Sequence, residues 1–347
     1  MCKLTINFIT NSSIQLGSSR IRVYNLLESL KNYFKYVFLN EDSLADIIVF
    51  QKIVDLKTLK KYRNKGLYTC YDIDDLYPNT YSMVKYVDLV IVSTEYLKTQ
   101  LEKFNKNIIV IPNSIDIENY SIPLKNINNS KNPSFCWYGW SNNSYILDKL
   151  NIRDLVTTIS DNGDIKYNVF DIDKTLQNFD YVIIPQEKTT HTLSKTHCRF
   201  LKSLYLGIPT IISDMPEYVK LAEEINYPKE YIVTNINDFK VLINEIFSGK
   251  ISLPTIDFTS IRKKILQKYA KEIIAQEFAH NIIYKYQTKN IIQMQDKTKS
   301  LQRYLLFSLI RNFLFNILSI QKNQKNHIVI SILGIKIKLK NKNKKNI

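Results

Sequence analysis

The stretch YDIDDLYPNTYSMVKYVDLVIVSTEYLKTQLEKFNKNIIVIPNSID, residues 71 to 116, decides the fold. It opens in the end of an apolar run, GLYTCYDI, then alternates helical periods from Thr80 and Thr94 with two further runs, DLVIVS and NIIVIP. These runs are nearly continuous in Ile, Val and Leu instead of alternating apolar with polar. Strands of that kind belong to parallel sheets with helices over both faces. Upstream the rhythm is the same: LTINFI, YVFLN and ADIIVF read as strands, with helices beginning near Arg20 and Val54. Residues 1 to 120 are therefore expected to form one doubly wound α/β domain.

From Asn113 to Pro133 the chain has two prolines, six asparagines and little periodicity, so a linker is placed at 121–133. The rhythm then restarts. SFCWYG, IKYNVF, DYVIIP, PTIIS and EYIVT read as strands, and helices are expected over Ser194–Leu206, Pro216–Ile225 and Ile236–Phe247. Residues 134–255 make a second doubly wound domain. Two such sheets leave a cleft at the carboxyl ends of their strands, where ligands bind.

The formal charge of +16 is unevenly placed. Residues 251 to 347 hold 19 Lys/Arg against 4 Asp/Glu, while the first 250 are near neutral. A helical, basic tail is expected over 256–347. LQRYLLFSLIRNFLFNILSIQ, residues 301 to 321, is apolar around most of a helix but interrupted by Arg303 and Arg311. Arginine at the centre of a span costs about 2.5 to 3.5 kcal/mol, so a position in the bilayer interface is preferred to a crossing. HIVISILGIKIKLKNKNKKNI then alternates like a strand pair and ends in lysines. Residues 300–347 are thus expected to meet an anionic membrane surface. The plainer alternative is a helix packed on the body with a solvated tail.

Cys2, Cys70, Cys136 and Cys198 lie far apart, which suggests neither a zinc site nor a disulfide framework. The first residues are too polar for a signal peptide. A cytoplasmic protein, peripheral at the inner face of the cytoplasmic membrane, is expected. With seven glycines and neither GxGxxG nor GxxxxGK[ST], kinase, P-loop and dinucleotide-enzyme classes lose their main support.

Three segments together resemble the GT-B glycosyltransferases. Residues 71 to 116 are similar to the second half of that family's acceptor domain, down to the Pro-Asn-x-x-Asp turn. SFCWYGWSNN (134 to 143) resembles the strand and turn that open the donor domain. SKTHCRFLKSLYLGIPTIISDMPEY (194 to 218) resembles the donor-site helix, Gly-x-Pro strand and acidic loop. The likeness covers roughly residues 1 to 250. It implies two Rossmann-like domains and a hexosyl transfer from a nucleotide sugar, with no metal or other cofactor. The implied acceptor is a membrane-presented glycan or lipid-linked molecule of bacterial surface polysaccharide, capsule or lipooligosaccharide. In one respect the chain departs from the family. The commonest retaining members carry two glutamates at the positions of Ser194 and Lys202, so retention or inversion stays open.

Sugar transfer must stabilise a departing diphosphate. Lys195 and Arg199, one turn apart at the expected helix start where the dipole favours anions, are the leaving-group candidates. The resemblance adds Gly139, Trp140, Ser141, His191, Ser194, His197, Asp214, Pro216, Glu217 and Tyr218 to the donor side. Glu217 is the candidate to replace a missing sugar or ribose contact. On the acceptor side Gly17 and Ser18 follow the first strand, and Arg20 and Arg22 are candidates for a phosphate or anionic acceptor, or for exposed arginines of a helix start. Asp74 or Asp75 is a candidate base if the enzyme inverts, and otherwise caps the next helix. The carboxylates of YDIDD invite a metal reading, but the two-domain layout fits the metal-using glycosyltransferase fold badly. His191, His197 and Cys198 lack metal-ligand spacing. Two rivals remain: a noncatalytic binding or assembly protein on the same shell, and a nucleic-acid binder through the tail. The second has charge but no reading motif, so no nucleic acid is expected.

Overall fold

A computed structural model describes residues 4–41, 45–77, 79–125, 132–322, 328–332 and 335–339, with side-chain surroundings through residue 310. The chain divides into two compact units, Met1–Ile282 and Ile283–Ile347.

The first unit holds two six-stranded parallel sheets. β1 (Thr5–Ile9), β2 (Tyr36–Leu39), β3 (Ile47–Gln51), β4 (Tyr68–Ile73), β5 (Leu89–Val92) and β6 (Ile108–Val110) lie in the order β2-β1-β3-β4-β5-β6. Every residue of β3, β4 and β5 is buried, as continuous apolar strands require. β7 (Phe135–Tyr138), β8 (Thr157–Ser160), β9 (Ile165–Lys166), β10 (Tyr181–Ile184), β11 (Thr210–Ser213) and β12 (Ile232–Val233) form the second sheet, ordered β12-β11-β10-β7-β8-β9. Both are doubly wound, as expected.

Local differences from the expectation have local causes. β8, sequence TTIS, is hidden in the sequence by its hydroxyls. Thr158 is buried, and Asp164 satisfies it by accepting from its amide and hydroxyl at 2.8 and 2.7 Å. IKYNVF shrinks to the two residues of β9. The expected helix Ser194–Leu206 shortens to Cys198–Tyr205, and a separate short helix, Thr190–Leu193, precedes it. Thr189 and Thr192 form a capping box on that short helix, and the Ser194 hydroxyl closes it by donating to the His191 carbonyl at 2.6 Å. Lys195 therefore sits in the turn between helices. Past Tyr205, Gly207 takes φ 83°, open to glycine at little cost, and turns the chain into β11.

The expected tail begins too early. Helix Phe258–Tyr269 buries Phe258, Ile261, Ile265 and Tyr269 in the second domain's core. The next helix, Lys271–Ile317, buries Ile274, Ala275, Phe278, Ala279 and Ile282, spaced to share one face. Phe278 stacks on Phe8 of β1 at 5.7 Å, so the chain returns to the first domain before the second unit starts.

In the second unit the helix ends at Ile317, short of the expected 321, because β13 (Leu318–Lys322) pairs with β14 (Ile328–Ile332). β14 also pairs antiparallel with β15 (Ile335–Leu339), matching the strand-pair expectation. No described helix is long and apolar enough to cross a membrane. Residues 126–131 of the expected linker and the lysine-rich end from 340 lie outside the described residues.

Phe278→Ala should destabilise the protein by about 3 to 5 kcal/mol through the cavity it leaves. Leu305→Ala, at a position 53% exposed, should stay within about 0.5 kcal/mol. Chemical denaturation of the two variants checks this.

Candidate functional site

At the carboxyl end of β3 stands Lys52, whose φ of 57° is uncommon for a residue with a side chain. Its ammonium lies 2.7 Å from Asp74 Oδ1 and 2.9 Å from Asp75 Oδ2, just past β4, and 3.3 Å from Ser18 Oγ. The Tyr77 ring is 4.8 Å below it. Asp74 is buried. Burial pushes its carboxyl above the usual carboxylate range, with Lys52 pulling the other way. Burial alone would lower the Lys52 ammonium, but Asp74 and Asp75 hold it above the ordinary lysine value. The two candidate bases are thus brought together, clasped by a cation that nothing in the sequence distinguishes among 48 Lys/Arg.

Arg20 and Arg22 are not the free anion binders expected. Arg22 is buried, with Nε 3.1 Å from both oxygens of Asp72, and Nη1 donates to the Ile111 carbonyl at 2.6 Å and Asn113 Oδ1 at 2.9 Å. Arg20 meets Asp116 through Nε and Nη2, both at 2.8 Å, and reaches the Tyr167 hydroxyl of the second domain at 3.1 Å. Asp116 in turn lies 3.5 Å from Lys202, which is 2.6 Å from Asp173. Burial would raise the Asp116 carboxyl, yet Lys202 and Arg20 hold it well below the usual range. Both guanidiniums are filled by protein. Lys202 serves the same buried network. Gly17 opens the short helix that leads into Arg20, and a Cβ there would stand 3.8 Å from Arg20 Nη2, an ordinary contact.

On the second domain a cavity of about 180 Å³ lies between the end of β7, the helix Tyr145–Lys149, the loop after β10 and the turn before helix Cys198–Tyr205. Of the expected donor residues, Gly139, Trp140, Lys195, Arg199 and Tyr218 line it. A Cβ on Gly139 would stand 3.2 Å from the Trp137 ring and 3.4 Å from Arg199 Nη1, so glycine lets these approach. Arg199 lies over Trp137 and donates to the Tyr138 carbonyl at 2.9 Å. Among the described residues no hydrogen bond or ion pair engages the Lys195 ammonium. Burial pushes it below the ordinary lysine value, with Asp75 and Asp74 opposing. No side chain caps the Cys198–Tyr205 helix, whose first turn carries Arg199. An uncompensated ammonium beside an uncapped helix N-terminus is suited to an anion.

The remaining donor candidates do not line this cavity. Ser141 bonds to Asp161 through its amide and hydroxyl. His191 meets the Tyr77 ring edge-on at 6.2 Å, and Ser194 Oγ accepts weakly from the Leu76 amide at 3.4 Å. His197 is buried against Tyr269, 3.8 Å from Glu217, so both turn inward. Asp214 pairs with Lys188 at 2.7 Å, and Pro216 starts the helix Pro216–Ile225. Tyr145, at the start of the helix Tyr145–Lys149, and Gln186 and Glu187, in the loop after β10, also line the cavity; the last two escape a sequence reading, since loop residues after a strand carry no periodic signal. Among the described residues no cluster of three His, Cys, Asp or Glu could hold a metal.

No protein-family model and no curated sequence matches the chain. Solved structures do. HepE of Anabaena in complex with UDP aligns with a TM-score of 0.57 at 14% identity, covering 81% of this chain and 100% of that one. AviGT4, a glycosyltransferase involved in avilamycin A biosynthesis, aligns at 0.53 and 10% identity, covering 82% and 97%. An α1,3-fucosyltransferase aligns at 0.50 and 11%, covering 82% and 90%. With two doubly wound parallel domains and these structural neighbours, the chain has the GT-B fold of glycosyltransferases.

Proposed function

We propose that the protein is a glycosyltransferase moving a sugar from a nucleotide-sugar donor to a membrane-presented glycan or lipid-linked acceptor of bacterial surface polysaccharide, capsule or lipooligosaccharide. The observation that carries the reading is Lys195: a half-buried ammonium, without a hydrogen bond or ion pair among the described residues, in an aromatic-walled cavity beside an uncapped helix N-terminus. The donor's diphosphate would sit there. Lys195 and Arg199 would take up the charge that develops on the leaving group, which is electrostatic stabilisation without a metal. Asp74 would accept the acceptor's proton if the reaction inverts, Lys52 fixing its carboxylate. The HepE structures with UDP and with UDP-glucose support a nucleotide-sugar donor by likeness of fold.

A membrane-presented acceptor draws support from the helix Lys271–Ile317. Leu301, Tyr304, Leu306, Phe307 and Leu309 are each more than half exposed there, on a helix that also carries Arg303. Such a surface fits the interface of an anionic cytoplasmic leaflet. The second reading, a noncatalytic binding or assembly protein, is favoured by one observation: Lys202 fills the second glutamate position and is tied into buried ion pairs.

Nucleoside diphosphates should raise the melting temperature without added metal, and Lys195→Ala should abolish the shift; no shift with any nucleotide refutes the donor site. Because the Lys195 pKa is lowered, its charge and the affinity should fade at a lower pH than for a solvated lysine. Lys195→Arg should flatten that profile. Arg22→Ala should act differently, destabilising the fold by about 3 to 5 kcal/mol by leaving Asp72 buried and unpaired, as read by denaturant unfolding. Flotation with anionic liposomes should be lost when residues 291 to 347 are removed, and equal flotation refutes the anchor.

A further inference from the structure

A second groove lies outside the cleft, on the first domain. Helix Leu56–Asn64 carries Lys57, Lys60, Lys61 and Arg63 and no carboxylate, within a stretch of 250 residues that is near neutral as a whole. Asp55 caps its start by accepting from the Thr58 amide at 2.9 Å, and Leu59 and Tyr62 bury one side of it in the core that holds Met83 and Val84. Leu56, Lys60, Arg63 and Asn64 follow one another along one side of the helix, over about 12 Å. With Leu59 beneath and Tyr86 opposite they line a groove of about 590 Å³, within the range of ligand sites. Lys60, Arg63 and Asn64 are exposed, Tyr86 is 52% and Leu56 43% exposed. Among the described residues no hydrogen bond, ion pair or ring contact engages the side chains of Lys60, Arg63 or Tyr86.

The geometry points to this groove as a binding site for an acidic saccharide, a stretch of glycan that bears carboxylate or phosphate groups. It rests on the glycosyltransferase reading only in making that glycan a part of the acceptor, behind the sugar that reacts. A guanidinium takes a carboxylate or a phosphate through two parallel bonds, and Lys60, one turn from Arg63, adds a point charge. A sugar ring has an apolar face and a polar edge. The Tyr86 ring, Leu56 and Leu59 offer the apolar contact, while the Asn64 amide both donates and accepts, as hydroxyls require. Leu56 is four residues past Lys52, so a glycan whose end reaches Asp74 can continue along the helix. Concavity separates the site from a membrane contact: a bilayer is met by protruding apolar side chains, whereas a groove of this size takes a molecule into it.

Isothermal titration of the full chain at low salt tests this with hexagalacturonate for carboxylate, mannopentaose phosphate for phosphate, and mannopentaose as the neutral control. At least one acid should bind about tenfold or more tightly than the control, and the preferred acid identifies the substituent. Arg63→Ala should weaken that binding by about tenfold, the size expected for a bond to a charged group. Tyr86→Ala should weaken it by about fivefold and leave inorganic tripolyphosphate, an anion without sugar rings, unaffected. Lys229→Ala, an exposed lysine of the second domain, should change nothing. The exposed positions of Arg63 and Tyr86 predict wild-type melting for both variants. The assignment is overturned if neither acid exceeds the control, if Arg63→Ala binds as the wild type does, or if Tyr86→Ala has no effect on the acid. Flotation with phosphatidylglycerol and phosphatidylcholine vesicles should be the same for Lys60→Ala/Arg63→Ala as for the wild type; its loss gives the groove to the membrane and overturns the proposal. Acidic glycan binding by a protein that takes no nucleoside diphosphate strikes the donor-site reading and leaves the groove standing; nucleotide binding without glycan binding strikes the groove alone.

Discussion

The ion-pair chain from Arg20 through Asp116 and Lys202 to Asp173 is the interaction on which the two-domain body depends. It links a helix of the first domain, the crossing segment and two helices of the second. Removing such charges from water costs several kcal/mol each, offset only by close geometry and filled hydrogen bonds. Arg20 meets that condition with a two-point contact and further bonds to the Ile14 and Gln15 carbonyls and the Tyr167 hydroxyl. Arg22 meets it at Asp72. Ile115 and Ile117, on either side of Asp116 in the chain, are buried in the second domain's apolar core, and the Ile115 amide donates to the Tyr269 carbonyl at 2.7 Å. The start of the polar crossing segment is therefore packed structure, against the impression its asparagines give.

With those cations committed, the charges left for a ligand in the cleft are few, and they fall on its two sides. One side is the Lys52 clasp on Asp74 and Asp75. The other is the pair Lys195 and Arg199. The depressed Lys195 pKa and the raised Asp74 pKa have a common cause, burial without a full set of partners. Perturbed groups gathered in a cleft are the usual mark of a functional site, although structural ion pairs perturb pKa values too. Lys195 can be separated from the structural pairs because no hydrogen bond or ion pair engages its ammonium among the described residues.

How much of this the sequence carried depended on the range of the interaction. Runs such as ADIIVF and DLVIVS revealed the first sheet, since strands buried on both faces need apolar residues throughout. The segment around Lys195 and Arg199 reads as the start of a helix, and the structure leaves only Arg199 on it. Partners of Arg20 and Arg22 could not be seen, because Asp116 and Asp72 lie 96 and 50 residues away. The same two arginines read equally as ligand contacts or as buried structure until those carboxylates were placed. β8 was lost because its threonines are satisfied by one aspartate, and the split before Cys198 because a threonine capping box acts only in context. For Lys52 the sequence holds no signal at all.

If the cavity at Lys195 binds and activates a nucleotide sugar, the protein should cleave its donor slowly even without an acceptor. The most direct measurement is release of nucleoside diphosphate from a panel of UDP-, GDP- and other nucleotide sugars by the purified protein, with and without chelator. Slow release from one donor, at equal rate in both conditions, is the predicted result. No release from any donor, together with no binding of any nucleoside diphosphate, would contradict that role for the cavity.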